Sequence, residues 1–360
     1  MNSTLKFKAV EVFPKLNDFI QYLETQKIKV EVLSSLSDEK IQKIWGELKR
    51  PISFDSPASQ IDSFSYSLKP GDLDSKAGML FRDLKKRKAT KAAERIELYC
   101  DFPEAALDLL LRKLIHPEWH GENHLKTYQS KCKNLSTEEA VVIGPDCKIG
   151  DDVILESGVR IGARVCIGAG TRIGAGSRIA DDSVIGERCY LRGLVSIGGH
   201  GFGFVPYPER AMPKHRIHVG SVWIGDEVML GSFVAVDRGV LEDTIIGRNS
   251  AFDNLVHVGH NSKVGKYNIL CGFVGIAGST ILGDYVTLGG LVVTKGHIKI
   301  GDRVQVGGFS AITRDVESGS QLRGVPARPI KDDLRIMAIQ EKLPELYSQM
   351  KKILKFEKES

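Results

Sequence analysis

Aromatic residues are scarce in this 360-residue sequence, at 7%, whereas glycine occurs 37 times. So few rings argue against a core built around large aromatic side chains, and the many glycines favour repeated layers of small aliphatic residues. Long apolar runs are also missing: no stretch approaches the roughly 18 residues that a membrane-spanning helix needs. The N-terminus carries no apolar run behind a basic start, so no signal peptide is predicted.

Cysteine pairs are absent as well. The six cysteines lie far apart and form no CxxC pair, which fits reduced thiols in a cytoplasmic protein best. The net charge of +5 is mild. It suits an acidic partner or a phosphorylated substrate and is too weak to predict nucleic-acid binding.

A period of six residues organises the middle of the chain. Every sixth position from residue 143 is apolar, with a break at 199–221 and a slip of four residues at 237–243. Only Thr294 departs from this rule. The positions in register are Ile143, Ile149, Leu155, Ile161, Ile167, Ile173, Ile179, Ile185, Leu191, Ile197, Ile224, Leu230, Val236, Ile246, Phe252, Val258, Val264, Leu270, Ile276, Leu282, Leu288, Thr294, Ile300, Val306 and Ile312.

Such a period is neither that of a helix nor that of an amphipathic strand, which repeat at about 3.6 and 2 residues. It is typical of a solenoid whose short strands meet at tight corners, with about 18 residues per triangular coil and about 4.8 Å between coils. Glycine is expected at the corners, where positive φ is cheap without a Cβ. The sequence therefore predicts a mainly β protein, a left-handed parallel β-helix of hexapeptide repeats with about eight coils.

Modules without this period flank the β-helix. We expect an N-terminal α/β domain at 1–135, the β-helix at 136–320, and an exit segment and helix at 321–360. The elements predicted in these modules are helices at 16–26, at 37–49 with Ser37 as N-cap, and after Asp101; strands at 76–81 and 95–100; and a C-terminal helix from about Asp332 that is interrupted near Pro344.

Both interruptions of the register must project from a face of the solenoid. They are predicted either as solvated loops or as segments that reach a ligand or a neighbouring subunit.

Polar residues that point outward from the coils are the candidates for chemistry. Asp253, His257 and His260 lie in FDNLVHVGHN (252–261). Gly278 follows His260 by 18 residues, one coil higher at the same corner, so the pair offers a base and an oxyanion donor. His297, about two coils above His260, is better placed to bind substrate. Solvated surface histidines, or a metal site that uses His257, His260 and a neighbour's histidine, remain the alternatives.

Several segments together resemble the UDP-3-O-(3-hydroxyacyl)glucosamine N-acyltransferases of lipid A biosynthesis. The resemblance is strong from about 141 to 328 and weak over parts of 60–115. The segments that carry it are IGGHGFGF (197–204), VAVDRGVLEDTIIG (234–247), FDNLVHVGHN (252–261), GIAGST (275–280) and TKGHIKIGD (294–302).

This resemblance implies N-acyl transfer to a UDP-aminosugar with acyl carrier protein as donor, and no metal or other cofactor. It implies His260 as general base, Gly278 as oxyanion donor and assistance from Asp253, with His297, His257 and Asn254 binding substrate. It also implies a homotrimer with its sites in the grooves between adjacent β-helices.

Two ends of the substrate site are predicted separately. Near the groove's mouth, an acidic carrier is expected to bind four basic residues, Arg323, Arg328, Lys331 and Arg335. At the nucleotide end the closest match to the family's uracil motif is FSYSLKPG (64–71), where Phe64 or Tyr66 can stack on a base. Ser67 and Pro70 stand where the family has Asn and Tyr, so weak nucleotide binding or a modified aminosugar is the hypothesis.

Two rival functions fit the same pattern. GVPARP (324–329) also ends many CoA-dependent sugar N- or O-acetyltransferases of the hexapeptide type. A non-catalytic β-helical scaffold or nucleotide-sensing module is the other rival, and it would not need an intact pair of His260 and Gly278.

Overall fold

Residues 136–324 fold into a left-handed parallel β-helix, with an α/β domain before it and a long helix after it. The computed structural model describes residues 15–33, 38–47, 50–51, 63–67, 79–83, 96–114, 121–129, 131–209, 211–324 and 329–359. The N-terminal elements are α1 (Leu16–Thr25), β1 (Val30–Leu33), α2 (Asp38–Glu47), β2 (Arg50–Pro51), β3 (Ser63–Ser67), β4 (Met79–Asp83), β5 (Ile96–Cys100), α3 (Pro103–Leu114) and α4 (Leu125–Gln129).

Three parallel sheets form the walls of the solenoid. The first wall contains β6 (Ser136–Thr137), β9 (Ile154–Leu155), β12 (Arg172–Ile173), β15 (Tyr190–Leu191), β20 (Met229–Leu230), β23 (Ala251–Phe252), β26 (Ile269–Leu270), β29 (Thr287–Leu288), β32 (Gln305–Val306) and β34 (Gln321–Leu322). The second wall contains β7 (Val142–Ile143), β10 (Arg160–Ile161), β13 (Arg178–Ile179), β16 (Ser196–His200), β21 (Ala235–Arg238), β24 (His257–Val258), β27 (Gly275–Ile276), β30 (Val293–Thr294) and β33 (Ala311–Ile312). The third wall contains β8 (Lys148–Ile149), β11 (Cys166–Ile167), β14 (Val184–Ile185), β19 (Val222–Ile224), β22 (Thr244–Ile246), β25 (Lys263–Val264), β28 (Ile281–Leu282) and β31 (Lys299–Ile300).

The hexad rule places one aliphatic residue per strand in a continuous core. Outside the interruptions, partners on neighbouring strands are 18 residues apart, as in Ile161 and Ile179, and most of the inward residues are buried, with Ile149 partly buried. The predicted fold is confirmed, and the sheets of eight to ten strands are slightly taller than the expected eight coils.

Glycine has a different role from the one expected. Most corner residues with positive φ carry side chains, for example Leu255 at 62° and Asn261 at 61°. The glycines of the repeat instead allow close stacking of coils. A Cβ on Gly259 would lie 2.7 Å from the backbone nitrogen of Gly278 in the coil above, a distance that non-bonded carbon cannot tolerate.

The N-terminal domain has its own core. Its five-stranded sheet has the order β1-β5-β4-β3-β2, and all neighbours are parallel except β1 and β5. Phe19, Trp45, Leu98 and Leu110 are fully buried there. The helices predicted at 16–26, 37–49 and after Asp101 are confirmed as α1, α2 and α3; Ser37, the expected N-cap, lies outside the described residues.

The first interruption docks the N-terminal domain and is not a solvated loop. It contains a hairpin of β17 (Phe204–Val205) and β18 (Lys214–His215), and its Tyr207 is buried in the domain's core. Asp108 of α3 accepts hydrogen bonds from the Tyr207 hydroxyl at 2.5 Å and from the Ile217 N–H at 3.0 Å. Leu241 of the second interruption joins the same core.

The C-terminal helix corrects one expectation. Helix α5 (Ile330–Glu359) continues through Pro344 without interruption. Proline removes one backbone hydrogen bond, and the residues around it are exposed, so water can satisfy the carbonyl that is left free. No helix in the described ranges is long and apolar enough to cross a membrane.

Candidate active site

His260 lies at the second corner, between the second and third walls, with its imidazole fixed by Asn261. The His260 Nδ1 is 3.0 Å from the Asn261 Oδ1, and the same oxygen accepts the Val240 N–H at 2.9 Å. Since the Val240 N–H can only donate, the atom it meets is an acceptor and His260 must carry its proton on Nδ1. In the neutral ring with the proton on Nδ1, it is Nε2 that carries the lone pair and can take a proton.

The peptide bond before Gly278 is oriented from inside the core. The carbonyl of Ala277 accepts hydrogen bonds from the Thr280 hydroxyl at 2.6 Å and the Ser262 hydroxyl at 3.2 Å, and both side chains are buried. Thr294 accepts the Ala277 N–H at 3.0 Å. Carbonyl and N–H point in opposite directions across a trans peptide, so the Gly278 N–H points away from the core.

This N–H has no hydrogen-bond partner among the residues that the structure describes. At the same corner lower in the solenoid, the side chain of Asp181 accepts the Ala163 N–H from the coil below at 3.0 Å. The corresponding residue above Gly278 is Gly296, which has no side chain to do so. In this coil, therefore, no side chain from the coil above takes up the Gly278 N–H.

Base and donor are adjacent. A Cβ built on Gly278 would lie 2.7 Å from the His260 Nε2, so the imidazole occupies the space that a side chain would fill. A proton acceptor beside an outward N–H can deprotonate a nucleophile and stabilise the oxyanion formed by its attack on a carbonyl. The arrangement is suited to acyl transfer.

Asp253 and Asn254 lie one wall away, at the first corner between the first and second walls. Asp253 is exposed, and its Oδ1 accepts the Asn254 N–H at 2.7 Å. The Asn254 Oδ1 accepts the Ser232 N–H at 2.8 Å. Asp253 was expected to support His260; within this chain it is Asn261, and not Asp253, that contacts the imidazole.

The other predicted histidines lie near this pair. His257 points outward from the second wall, and its Nε2 is 3.0 Å from the Asp237 Oδ2. The hydrogen bond to that carboxylate raises the pKa of His257 above its usual value, against the opposing effect of burial. His297 is exposed, one coil above Gly278 at the second corner, and its N–H donates to the Gly278 carbonyl.

Histidine 218, which pattern reasoning did not select, packs against His260. The ring centroids are 5.3 Å apart in an edge-on arrangement. His218 is 1% exposed; its Nδ1 is bonded to the Arg216 carbonyl, and its Nε2 has no partner among the residues that the structure describes. Burial is the main cause that lowers the pKa of His218 to about 3, and neighbouring His260, His200 and His215 add to it.

We therefore expect His218 to make the fold sensitive to acid. The unfolded chain binds this proton below pH 6.5 and the folded chain only near pH 3, so stability is lost as the pH falls through that window. At pH 5 the loss is about 2 kcal/mol. Thermal unfolding of the His218→Gln variant should show a flatter dependence between pH 7 and pH 5 than the wild type. An unchanged slope would mean that another group is responsible.

Metal binding gains no support from the geometry. No group of three or more His, Cys, Asp or Glu side chains within the described ranges could hold a metal ion. All six cysteines are unpaired.

The residues predicted for the carrier and the nucleotide are only partly described. Arg323, Lys331 and Arg335 are exposed, whereas Arg328 lies outside the described residues. Phe64 and Tyr66 belong to β3, which pairs with β4. Their assignments stay predictions.

Pattern reasoning missed Asn261, His218 and Thr294. Two signals were present: Asn261 directly follows the candidate base, and Thr294 is the single polar residue in the inward register. His218 gave no signal, because it lies in an interruption whose fold depends on contacts with the N-terminal domain.

One family model matches part of the β-helix. The family model for the bacterial transferase hexapeptide (six repeats) matches residues 140–175. A UDP-3-O-acylglucosamine N-acyltransferase of Sinorhizobium fredii is 53% identical over 156 residues, 43% of this chain and 44% of the relative. UDP-3-O-acylglucosamine N-acyltransferase 1 of Gloeobacter violaceus is 47% identical over 218 residues, 61% of this chain and 62% of the relative.

Among solved structures, LpxA from Acinetobacter baumannii aligns with a TM-score of 0.48 and 26% identity, over 53% of this chain and 72% of that one. The matched part of the chain spans about half the length of the first curated relatives. Over 43% to 61% of its length the chain is thus similar to the UDP-3-O-acylglucosamine N-acyltransferases, and the family resemblance drawn from the sequence is confirmed.

Proposed function

We propose that the protein transfers a 3-hydroxyacyl chain from acyl carrier protein to the 2-amine of a UDP-3-O-acyl-glucosamine. The observation that carries this proposal is the placement of the His260 imidazole beside Gly278, where a Cβ would lie 2.7 Å from Nε2 and where the N–H is unpaired in the described chain. The names of the relatives supply the substrate class.

The mechanism follows from the two groups. The Nε2 of His260 takes a proton from the 2-amine as the nitrogen attacks the thioester carbonyl, and the Gly278 N–H donates to the oxyanion. Collapse of the intermediate breaks the carbon–sulfur bond, and the imidazolium returns the proton to the leaving thiolate. Asn261 keeps the imidazole in the reactive tautomer. No metal and no cofactor beyond the carrier's thioester are required.

The carrier is proposed to bind at the C-terminal end of the solenoid. Arg323 follows the last strand of the first wall and lies about four coils above Asp253 at the first corner, roughly 19 Å along the axis. Residues 321–360 contain nine Lys and Arg against six Asp and Glu. When an acidic carrier is bound there, its extended phosphopantetheine arm can lie along the groove and reach the level of Asp253.

An apolar ridge supports assembly into a trimer. It consists of large side chains stacked at the first corner, each between 43% and 70% exposed, and each in the left-handed φ region. Its members are Leu194, Phe233, Leu255, Phe273, Leu291 and Phe309. Leaving a contiguous row of large apolar side chains in water is unfavourable unless another surface covers them.

Helix α5 offers a second seam for the same assembly. Ile336, Ile339, Leu343, Leu346 and Met350 recur at alternating spacings of three and four residues, and the last four are about half exposed. That spacing is typical of a coiled coil. A cyclic trimer covers ridge and seam at once and sets the first corner of one copy, with Asp253, beside the second corner of the next, with His260.

Complementation tests the shared site. His260→Ala and Asp253→Asn trimers should each have little activity. Trimers assembled from equal amounts of both variants should regain about a quarter of wild-type activity, because each site draws its two residues from independent copies. Sedimentation should give three times the chain mass of 39.6 kDa. An active monomer, or mixed trimers without activity, would contradict the shared site.

The donor separates the proposal from its closest rival. We expect N-acylation of UDP-3-O-acyl-glucosamine with 3-hydroxyacyl carrier protein and at most trace transfer from acetyl-CoA. The rate with the carrier should fall steeply as salt rises. The opposite donor preference would identify a CoA-dependent acetyltransferase, and no transfer with either donor would favour a scaffold.

A further inference from the structure

A second imidazole packs edge-on against the candidate base. The ring centroids of His218 and His260 are 5.3 Å apart, and the planes of the rings meet at 68°. The hydrogen bond to Asn261 holds only one ring nitrogen of His260. Rotation of a histidine ring about its second side-chain torsion is only weakly restricted, so the tilt of the base depends on what packs against it.

Two glycines allow the base to be packed this closely. A Cβ on Gly278 would lie 2.7 Å from the Nε2, 2.8 Å from the Cε1 and 3.1 Å from the Cδ2 of His260, so the Gly278 backbone lies over the ring. A Cβ on Gly201 would lie 2.9 Å from the His260 Cδ2 and 3.0 Å from the His218 Nε2. The Gly201 backbone therefore lies where the two rings approach each other, and a side chain there would force them apart.

The Nε2 edge of His218 faces this approach. The His218 Nδ1 is 3.0 Å from the Arg216 carbonyl. Since a carbonyl can only accept, Nδ1 carries the proton and Nε2 the lone pair. Of the His218 atoms it is Nε2 that comes nearest to a Cβ on Gly201. This nitrogen is buried and has no hydrogen-bond partner among the residues that the structure describes.

The backbone on both sides of His218 is anchored. The Ile217 N–H donates to the Asp108 Oδ1 of α3 at 3.0 Å. The Val219 N–H donates to the carbonyl of Val240, in the second interruption, at 2.9 Å. His218 is thus fixed between the N-terminal domain and the solenoid, and a ring held in this way can hold its neighbour in turn.

Packing alone does not account for the unpaired nitrogen of His218. A buried acceptor without a partner destabilises a fold and is rare in native structures, and a phenyl ring would fill the same space without this cost. The lone pair gains a role when His260 takes a proton, because that ring is then a cation beside the partial negative charge of Nε2, in a site shielded from water. Burial, which lowers the pKa of His218 to about 3, keeps His218 itself uncharged at neutral pH.

We propose that His218 is a positioning residue for the base: it holds the tilt of the His260 ring beside Gly278, and its Nε2 lone pair stabilises the positive charge that this ring gains on taking a proton. The inference rests on the proposed function for the identity of the proton donor, the 2-amine. The contact between the two imidazoles is independent of the substrate.

Phenylalanine and glutamine at position 218 separate the lone pair from the packing. His218→Phe keeps a planar ring without the lone pair, so kcat for N-acylation should fall about tenfold while KM stays within about twofold. His218→Gln supplies an amide oxygen as acceptor and should recover most of the kcat. His124→Phe is the matched control, a replacement of the same kind beside the first coil, and should keep the wild-type kcat. Thermal unfolding at pH 7 shows that each variant is folded.

A chemical probe distinguishes failure of this inference from failure of the proposed function. Diethyl pyrocarbonate reacts with an unprotonated imidazole nitrogen, and positive charge develops on the ring during the attack. Peptide mass spectrometry gives the rate of this reaction at His260 without any acyl substrate. The rate should be about tenfold lower in His218→Phe than in the wild type and close to the wild-type rate in His218→Gln.

That labelling pattern supports the role of His218 even if the wild type shows no acyl transfer. Equal labelling of His260 in the wild type and in His218→Phe overturns the inference, and normal N-acylation by both proteins would then leave the proposed function standing. Equal losses in His218→Phe and His218→Gln also overturn it, because an acceptor at this position would then be without effect.

Discussion

Replacing His260 by alanine is expected to lower turnover by about 10²–10⁴, the usual contribution of a positioned general base. The Nε2 of His260 is the proton acceptor next to the outward Gly278 N–H, and alanine leaves that N–H in place. The fold should persist, because the imidazole lies outside the aliphatic core. Single-turnover N-acylation and thermal unfolding measure the two effects separately.

His124→Ala is the control for this substitution. The backbone N–H of His124 bonds the Ile143 carbonyl in the first coil, a contact that alanine keeps, and its side chain is remote from His260. The control should retain wild-type turnover. A decrease of less than tenfold for His260→Ala would remove His260 as the base.

Gly278→Ala is expected to lower turnover by about 10²–10³. The added methyl group would lie 2.7 Å from the His260 Nε2 and 2.8 Å from its Cε1, so the imidazole must move away from the oxyanion donor. A displacement of about 1 Å at reacting groups is sufficient for such a loss. Measurement of kcat and KM should show the effect mainly in kcat.

Gly290→Ala is a suitable control for the added methyl group, because its nearest contact is an ordinary 3.4 Å to the Gly272 carbonyl. This variant should keep most of the wild-type kcat. Similar losses in both variants would indicate a general effect on the stacking of the coils instead of a specific effect on His260.

The solenoid could be predicted from the sequence because each hexad repeats the same local requirement. An inward aliphatic residue and a close backbone approach recur in every coil, so the pattern is local and sums over many repeats. The stacking of Gly278 above His260 could be predicted from the coil length, because residues 18 apart lie at the same corner in successive coils.

The docking of the N-terminal domain could not be predicted in this way. It depends on Asp108, which meets Tyr207 and Ile217 about a hundred residues later in the sequence. Contacts between residues so far apart in the sequence produce no periodic pattern in it. For the same reason the contact of His218 with His260 appears only in the folded chain.

The polar interruption of the register at Thr294 shows how a departure from the repeat can mark a site. Thr294 holds the Ala277 N–H, and Thr280 holds the Ala277 carbonyl, so together they orient the peptide that carries the Gly278 donor. A valine at position 294 would keep the volume but leave that N–H unpaired. The exception to the apolar rule therefore serves the chemistry, as exceptions to a consistent pattern commonly do.

Mass spectrometry of the product is the most direct test of the account. Purified protein is incubated with 3-hydroxyacyl carrier proteins and a panel of UDP-aminosugars, including UDP-3-O-acyl-glucosamine. We expect a gain of one hydroxyacyl group, located on the 2-nitrogen by fragmentation, with the wild type and not with His260→Ala. Acylation on oxygen only, or an equal yield from both proteins, would contradict it.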